Sequence, residues 1–133
     1  MRSPRPSRRC NVATRRRHIE SGSVWEARVG YARAVRIGDF VFVSGTTSDG
    51  PDAYMQAKGA IARIEHALEE AGASLDDVVR TRMFVVNIED WESIAKAHHE
   101  AFADVRPAST MVEVRRLISP ELLVEIEVDA YIG

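Results

Sequence analysis

The chain has 133 residues, 45% hydrophobic and 29% charged, with five prolines and eight glycines, the make-up of one ordinary globular domain rather than a low-complexity or fibrous chain. Its single cysteine, Cys10, excludes an internal disulfide and a cysteine-built metal cage. No run of about 18 apolar residues offers a membrane span, and the N-terminus lacks the apolar middle segment of a secretory signal.

The net charge of −2 hides an asymmetry. Residues 1–17 hold seven of the 18 basic side chains and no acid, so residues 18–133 carry 11 basic against 20 acidic groups, a balance of −9. The expectation is a basic, disordered N-terminal extension, 1–17, ahead of a single domain, 18–133, in a reducing cytoplasm. An acidic body repels phosphates, which argues against nucleic acid as the main partner.

In chain order, Tyr31 to Ile37 and Phe40 to Ser44 are β-rich runs around Gly38-Asp39 and read as a hairpin. Gly45, Gly50 and Pro51 end the second strand and open a loop. From Asp52 to Ala71 the apolar residues Ala57, Ile61, Ile64, Leu68 and Ala71 recur at helical spacing, and Gly72 is the stop. Val78 to Val86 is β-branched and reads as a central strand. A second helix runs from Asp90 to Ala103, with Trp91, Ile94, Ala95, His98 and Phe102 on one stripe. Two strands, Thr110 to Leu117 and Leu122 to Ile132, close the chain through Ser119-Pro120. The order ββαβαββ specifies an α+β fold with a mixed sheet and both helices on one face.

Alternation sharpens the last strand. Val124, Ile126, Val128 and Ala130 point one way, Glu125, Glu127 and Asp129 the other. The same parity is expected to set Met111, Glu113 and Arg115 beside the acids, on a face that is bare to water or packed against another subunit.

Gly30-Tyr31, the strand end Phe42-Val43-Ser44-Gly45, Gln56-Ala57 to Ile64, Ala67-Leu68 to Ala71-Gly72, Asp77-Val78-Val79, Pro107-Ala108, Val112-Glu113-Val114 and Val124-Glu125-Ile126-Glu127 occur in order over residues 30–130. In this the chain resembles the reactive intermediate deaminase (RidA/YjgF) family. The resemblance implies a chorismate-mutase-like fold and a homotrimer with ligand clefts between neighbouring subunits. It also implies hydrolysis of reactive imines and enamines, such as 2-aminoacrylate-derived species, to carbonyl compounds and ammonia without metal or cofactor. Matched position by position, the resemblance makes Glu125 the catalytic, water-positioning carboxylate and Tyr31, Ser44 and Gly45 substrate-binding; Ser109, Thr110 and Met111, at the strand entrance, are further substrate-binding candidates. Trp25 is a further cleft candidate.

One position departs from the family pattern. The family's substrate-binding arginine follows the Pro-Ala pair, where this chain has Ser109. A guanidinium supplies charge and a two-pronged fork, and losing about 2–3 kcal/mol of such anchoring weakens carboxylate binding by roughly 30- to 150-fold. Among other cations, Arg106 has no site role in the family, Arg115 shares the expected face of Glu125 as an ion-pair partner, and Lys96 reads as a solvated helix residue. His98-His99-Glu100 lacks metal-ligand spacing, because adjacent helical residues point about 100° apart. Two alternatives to the hydrolase stand beside it: a ligand-sensing or protein-binding trimer without chemistry, and an endoribonuclease acting on single-stranded RNA.

Overall fold

A computed structural model describes residues 15–133. The expected basic extension falls on residues 1–14, which with Cys10 lie outside the described residues, and on Arg15 to Arg17, of which Arg17 opens the first strand. The elements in chain order are β1 (Arg17–Ile19), α1 (Val24–Val29), β2 (Ala34–Ile37), β3 (Phe40–Thr46), α2 (Ala53–Glu70), β4 (Val78–Val85), α3 (Trp91–Phe102), β5 (Ala108–Glu113) and β6 (Val124–Tyr131). They form one six-stranded sheet in the order β1-β2-β3-β6-β4-β5. Only the β4–β5 pair is parallel. The ββαβαββ frame is therefore present, and β1 and α1 precede it.

Local chemistry sets the long helices. Asp52 caps α2 by accepting from the Met55 N–H at 2.8 Å, which satisfies one of the four unpaired amides at a helix start. Gly72, at φ 86°, takes the left-handed turn after it, and the Ala73 N–H returns to the Leu68 carbonyl at 2.8 Å. The buried stripe of α2 is Ala57, Ala60, Ile64, Ala67 and Leu68, whose alanines let the helix lie close on β3 and β6. Ile64 and Leu68 are fully buried, each worth about 1.5–3 kcal/mol by removal from water.

The alternation of β6 is as expected: Val124, Ile126, Val128 and Ala130 are buried under the helices, while Glu125, Glu127 and Asp129 are half-buried on the other face. That open face also carries an aromatic cluster. Phe40, Phe42 and Tyr131 are 48%, 43% and 45% exposed, with the Phe40 and Tyr131 rings 5.0 Å apart. Arg82 bridges Glu127 and Asp129 at 3.3 Å each, so the ion-pair role expected of Arg115 belongs to Arg82.

The parity expected for β5 is wrong by one residue. β5 pairs in parallel register with β4, Thr81 opposite Ser109 and Met83 opposite Met111. Because Thr81 and Met83 are buried beneath the helices, Ser109, Met111 and Glu113 face the helix side and Thr110 and Val112 the acid side. β5 is an edge strand with only Met111 half-buried, so no apolar alternation announces its register, and a one-residue slip reverses every side chain. Arg115 lies beyond its end.

Candidate functional site

The Glu125 carboxylate sits where three structural devices meet. Ser23 caps α1, and Gly30, at φ 93°, ends it with its N–H on the Glu26 carbonyl, which delivers Tyr31 and Arg33 to the start of β2. On β3, a register shift between Val43 and Thr46 brings Gly45 against Glu125. A Cβ at Gly45 would lie 2.5 Å from Glu125 Oε2, so only glycine leaves room for the carboxylate in this seat. Buried Gln56 ties the far wall, donating to the carbonyls of Gly50 and Glu121 and accepting from the Leu123 N–H.

The resulting cavity has a volume of about 650 Å³, and Trp25, Tyr31, Arg33, Gly45 and Glu125 line it. Burial raises the carboxyl pKa of Glu125, and neighbouring Glu127 adds to the effect, while Arg33 pulls it down. A carboxyl so tuned is a better proton acceptor from a bound water than an exposed glutamate. Arg33 is 92% buried by its 8% relative exposure. Its guanidinium donates to Thr46 Oγ1 at 3.2 Å and to the Gly45 carbonyl at 3.0 Å and leans over the Tyr31 ring, while its Nε has no partner. It both holds the Gly45 backbone and places a positive charge behind Glu125.

Ser109 and Met111 line a different cavity, of about 510 Å³, between β4, α3 and the α3–β5 loop. Its floor is a chain of polar atoms: Thr81 Oγ1, on a fully buried residue, is 2.8 Å from Ser109 Oγ and 2.9 Å from His98 Nε2. Burial, aided by His99, lowers the pKa of His98, so its imidazole is neutral at neutral pH. Arg106, given no site role by the resemblance, lines this cavity.

The structure thus brings Tyr31, Gly45 and Glu125 together and sets Ser109 and Met111 apart from them, on the opposite side of the sheet. Ser44 lines neither of these two cavities; its hydroxyl donates to the Ala32 carbonyl at 2.7 Å and fastens β3 to the connection between α1 and β2. Thr110 is exposed on the acid face. Trp25 lines the Glu125 cavity. Sequence reading missed Arg33, Thr81 and His98. Arg33 is embedded in a run that reads as alternating strand, and the only signal was a charge flanked by the small residues Ala32 and Ala34 beside Tyr31. Among the described residues no group of three or more His, Cys, Asp or Glu is arranged to hold a metal, and no described helix is long and apolar enough to cross a membrane.

Both long helices on one face of a mixed sheet, with a desolvated glutamate seated on a strand-end glycine, define a small α+β protein with open ligand cavities. The chain belongs to the Endoribonuclease L-PSP family, whose model matches residues 22–132, and to the YjgF/RutC group of proteins. It is 53% identical to Rv2704 from Mycobacterium tuberculosis, described as a member of the YjgF/YER057c/UK114 family, whose crystal structure superposes with a TM-score of 0.87 over 88% of this chain and 99% of that one. An uncharacterized protein of Streptomyces coelicolor is 39% identical over 88% of this chain and 92% of its own length. A protein of Acinetobacter baylyi named 3-aminoacrylate deaminase RutC is 31% identical over 77% and 86%.

Proposed function

We propose that the protein is a homotrimer that binds small metabolites in clefts between subunits and hydrolyses reactive imines or enamines to carbonyl compounds and ammonia. The observation that carries the reading is the Glu125 carboxylate, raised in pKa and seated against Gly45 in a solvent-open cavity. Glu125 takes a proton from a bound water as the water oxygen bonds to the imine carbon. The same proton goes to the nitrogen, giving a carbinolamine; Glu125 then takes the hydroxyl proton and passes it to the nitrogen as the C–N bond breaks, so that ammonia leaves as the carbonyl forms. Trimer formation is supported by the exposed Phe40, Phe42 and Tyr131 cluster on the open sheet face. It is supported also by the separation of the Glu125 and Ser109 cavities, which lie on opposite faces of one sheet and meet one ligand only if neighbouring subunits each supply one wall.

The test combines sedimentation with hydrolysis of imines generated in situ by an amino-acid oxidase. The reading requires a trimer mass and release of 2-oxoacid above the buffer rate, lost in Glu125→Gln. A monomer, or a Glu125→Gln rate equal to wild type, refutes it. Ser109 in place of a guanidinium favours a second reading, a trimer that binds a ligand without chemistry; saturable binding with no acceleration of imine hydrolysis selects it. RNA cleavage is disfavoured because Glu26, Asp49, Glu121 and Glu125 all line the larger cavity and repel phosphate.

A further inference from the structure

The two cavities differ in charge. The Glu125 cavity is lined by four carboxylates against the two guanidiniums Arg33 and Arg63. The Ser109 cavity is lined by the guanidinium of Arg106 and, among the described residues, by no carboxylate. In a domain with a balance of −9 over residues 18–133, an acid-free hollow beside an arginine repels an organic anion less than the Glu125 cavity does.

The backbone holds Arg106 in this place. After α3 the chain turns on the Arg106 N–H, which donates to the Phe102 carbonyl at 2.9 Å, and Arg106 is the one non-glycine residue with positive φ among the described residues, at 52°. That conformation is strained for a side-chain-bearing residue, and glycine is the usual occupant of such a helix end. Among the described residues the Arg106 guanidinium makes no hydrogen bond or ion pair, so its donors are available to a ligand. On the cavity floor, Thr81 and His98 hold the Ser109 hydroxyl in place. Met83, Phe102 and Met111 supply an apolar wall.

We propose that this cavity binds the carboxylate of a small organic acid, with Arg106 supplying the charge and Ser109, oriented by Thr81 and His98, a hydrogen bond. The charge absent at position 109 is thereby provided three residues upstream. The apolar wall takes the carbon body of the acid, which distinguishes this ligand from inorganic phosphate. The inference rests on the proposed cleft only in assigning this cavity and Glu125 to the same ligand; binding of the acid stands without any hydrolysis.

The experiment is an NMR titration of the full chain with propionate, propionamide and inorganic phosphate, reading the His98 ring and the Ser109 and Met111 amides. Propionate is expected to shift all three saturably and to bind at least about tenfold more tightly than propionamide. Arg106→Gln should weaken propionate by roughly 10- to 100-fold, the range of a charged hydrogen-bonded contact, without changing propionamide. Ser109→Arg in the Arg106→Gln background should restore propionate binding. Equal affinity for acid and amide, an Arg106→Gln variant that binds propionate like wild type, or phosphate displacing propionate would each overturn the inference. Propionate binding lost in Glu125→Gln but kept in Arg106→Gln places the carboxylate in the other cavity and sinks this inference alone; Arg106-dependent binding in a protein that accelerates no imine hydrolysis sinks the hydrolase reading alone.

Discussion

Replacing Gly45 by alanine tests whether the position of the Glu125 carboxylate sets turnover. Gly45 is not among the positive-φ glycines, so its backbone accepts a side chain. The new Cβ would stand 2.5 Å from Glu125 Oε2 and 2.9 Å from Cδ, where ordinary contact begins at 3.4 Å. The carboxylate must therefore retreat by about 0.9 Å. A displacement of that size in the group proposed to hold the attacking water is expected to lower turnover by roughly 100-fold. Folding should change little, since only the end of a flexible side chain has to move and loss of glycine freedom in the unfolded chain returns about 0.4–1 kcal/mol. The assay pairs imine hydrolysis with thermal melting and a ¹³C-carboxyl titration of Glu125. A wild-type rate in Gly45→Ala, together with a Glu125 titration displaced by the substitution, refutes the argument that the glycine seat serves catalysis.

Three further outcomes follow from the geometry. Glu125→Gln should melt higher than wild type at pH 7. The pKa of Glu125 is raised above the ordinary glutamate value of 4.5, so ionising it in the fold costs stability as pH rises through the folded value, and the difference should vanish below pH 4.5. Equal melting temperatures at pH 7 would contradict the desolvation. Arg33→Met removes two donated hydrogen bonds; it should lose about 2 kcal/mol in urea unfolding and move the Glu125 titration further up, because the cation opposing that shift is gone. Phe42→Glu places a carboxylate beside Glu127 and Asp129 on the open face; a 43% exposed residue tolerates this within about 0.5 kcal/mol in the monomer, so the expected result is loss of the trimer mass in sedimentation with a folded spectrum.

The parts of the structure legible in the sequence were those with a period and a buried face. α2 announced itself through Ala57, Ile61, Ile64 and Leu68, and β6 through the alternation of Val124 to Ala130 with three acids. β1 and α1 are too short to show a period, at three and six residues, and they take their structure from pairing with β2 and from the caps at Ser23 and Gly30. The site was half legible. Glu125, Tyr31 and Gly45 meet in one cavity, but the parity of the sequence puts Met111 and Glu113 on the wrong side of the sheet, because an edge strand borrows its register from its neighbour. The burial of Arg33 is not legible for a related reason: it depends on the partners, Gly45 and Thr46, that the tertiary fold sets beside it, whereas His98 stands on the apolar stripe of α3 and only its partner Thr81 is hidden from the sequence.

The placement of the two cavities on opposite faces of one sheet has a genetic consequence. Under the inter-subunit cleft proposed above, a subunit damaged at Glu125 still offers an intact Ser109 wall, and one damaged at Arg106 still offers an intact Glu125. Co-expressed in equal amounts, the two defective chains would assemble about a quarter of their clefts from two undamaged walls, by random assortment around a closed ring. Two alleles that are each inactive would then complement one another in the same cell.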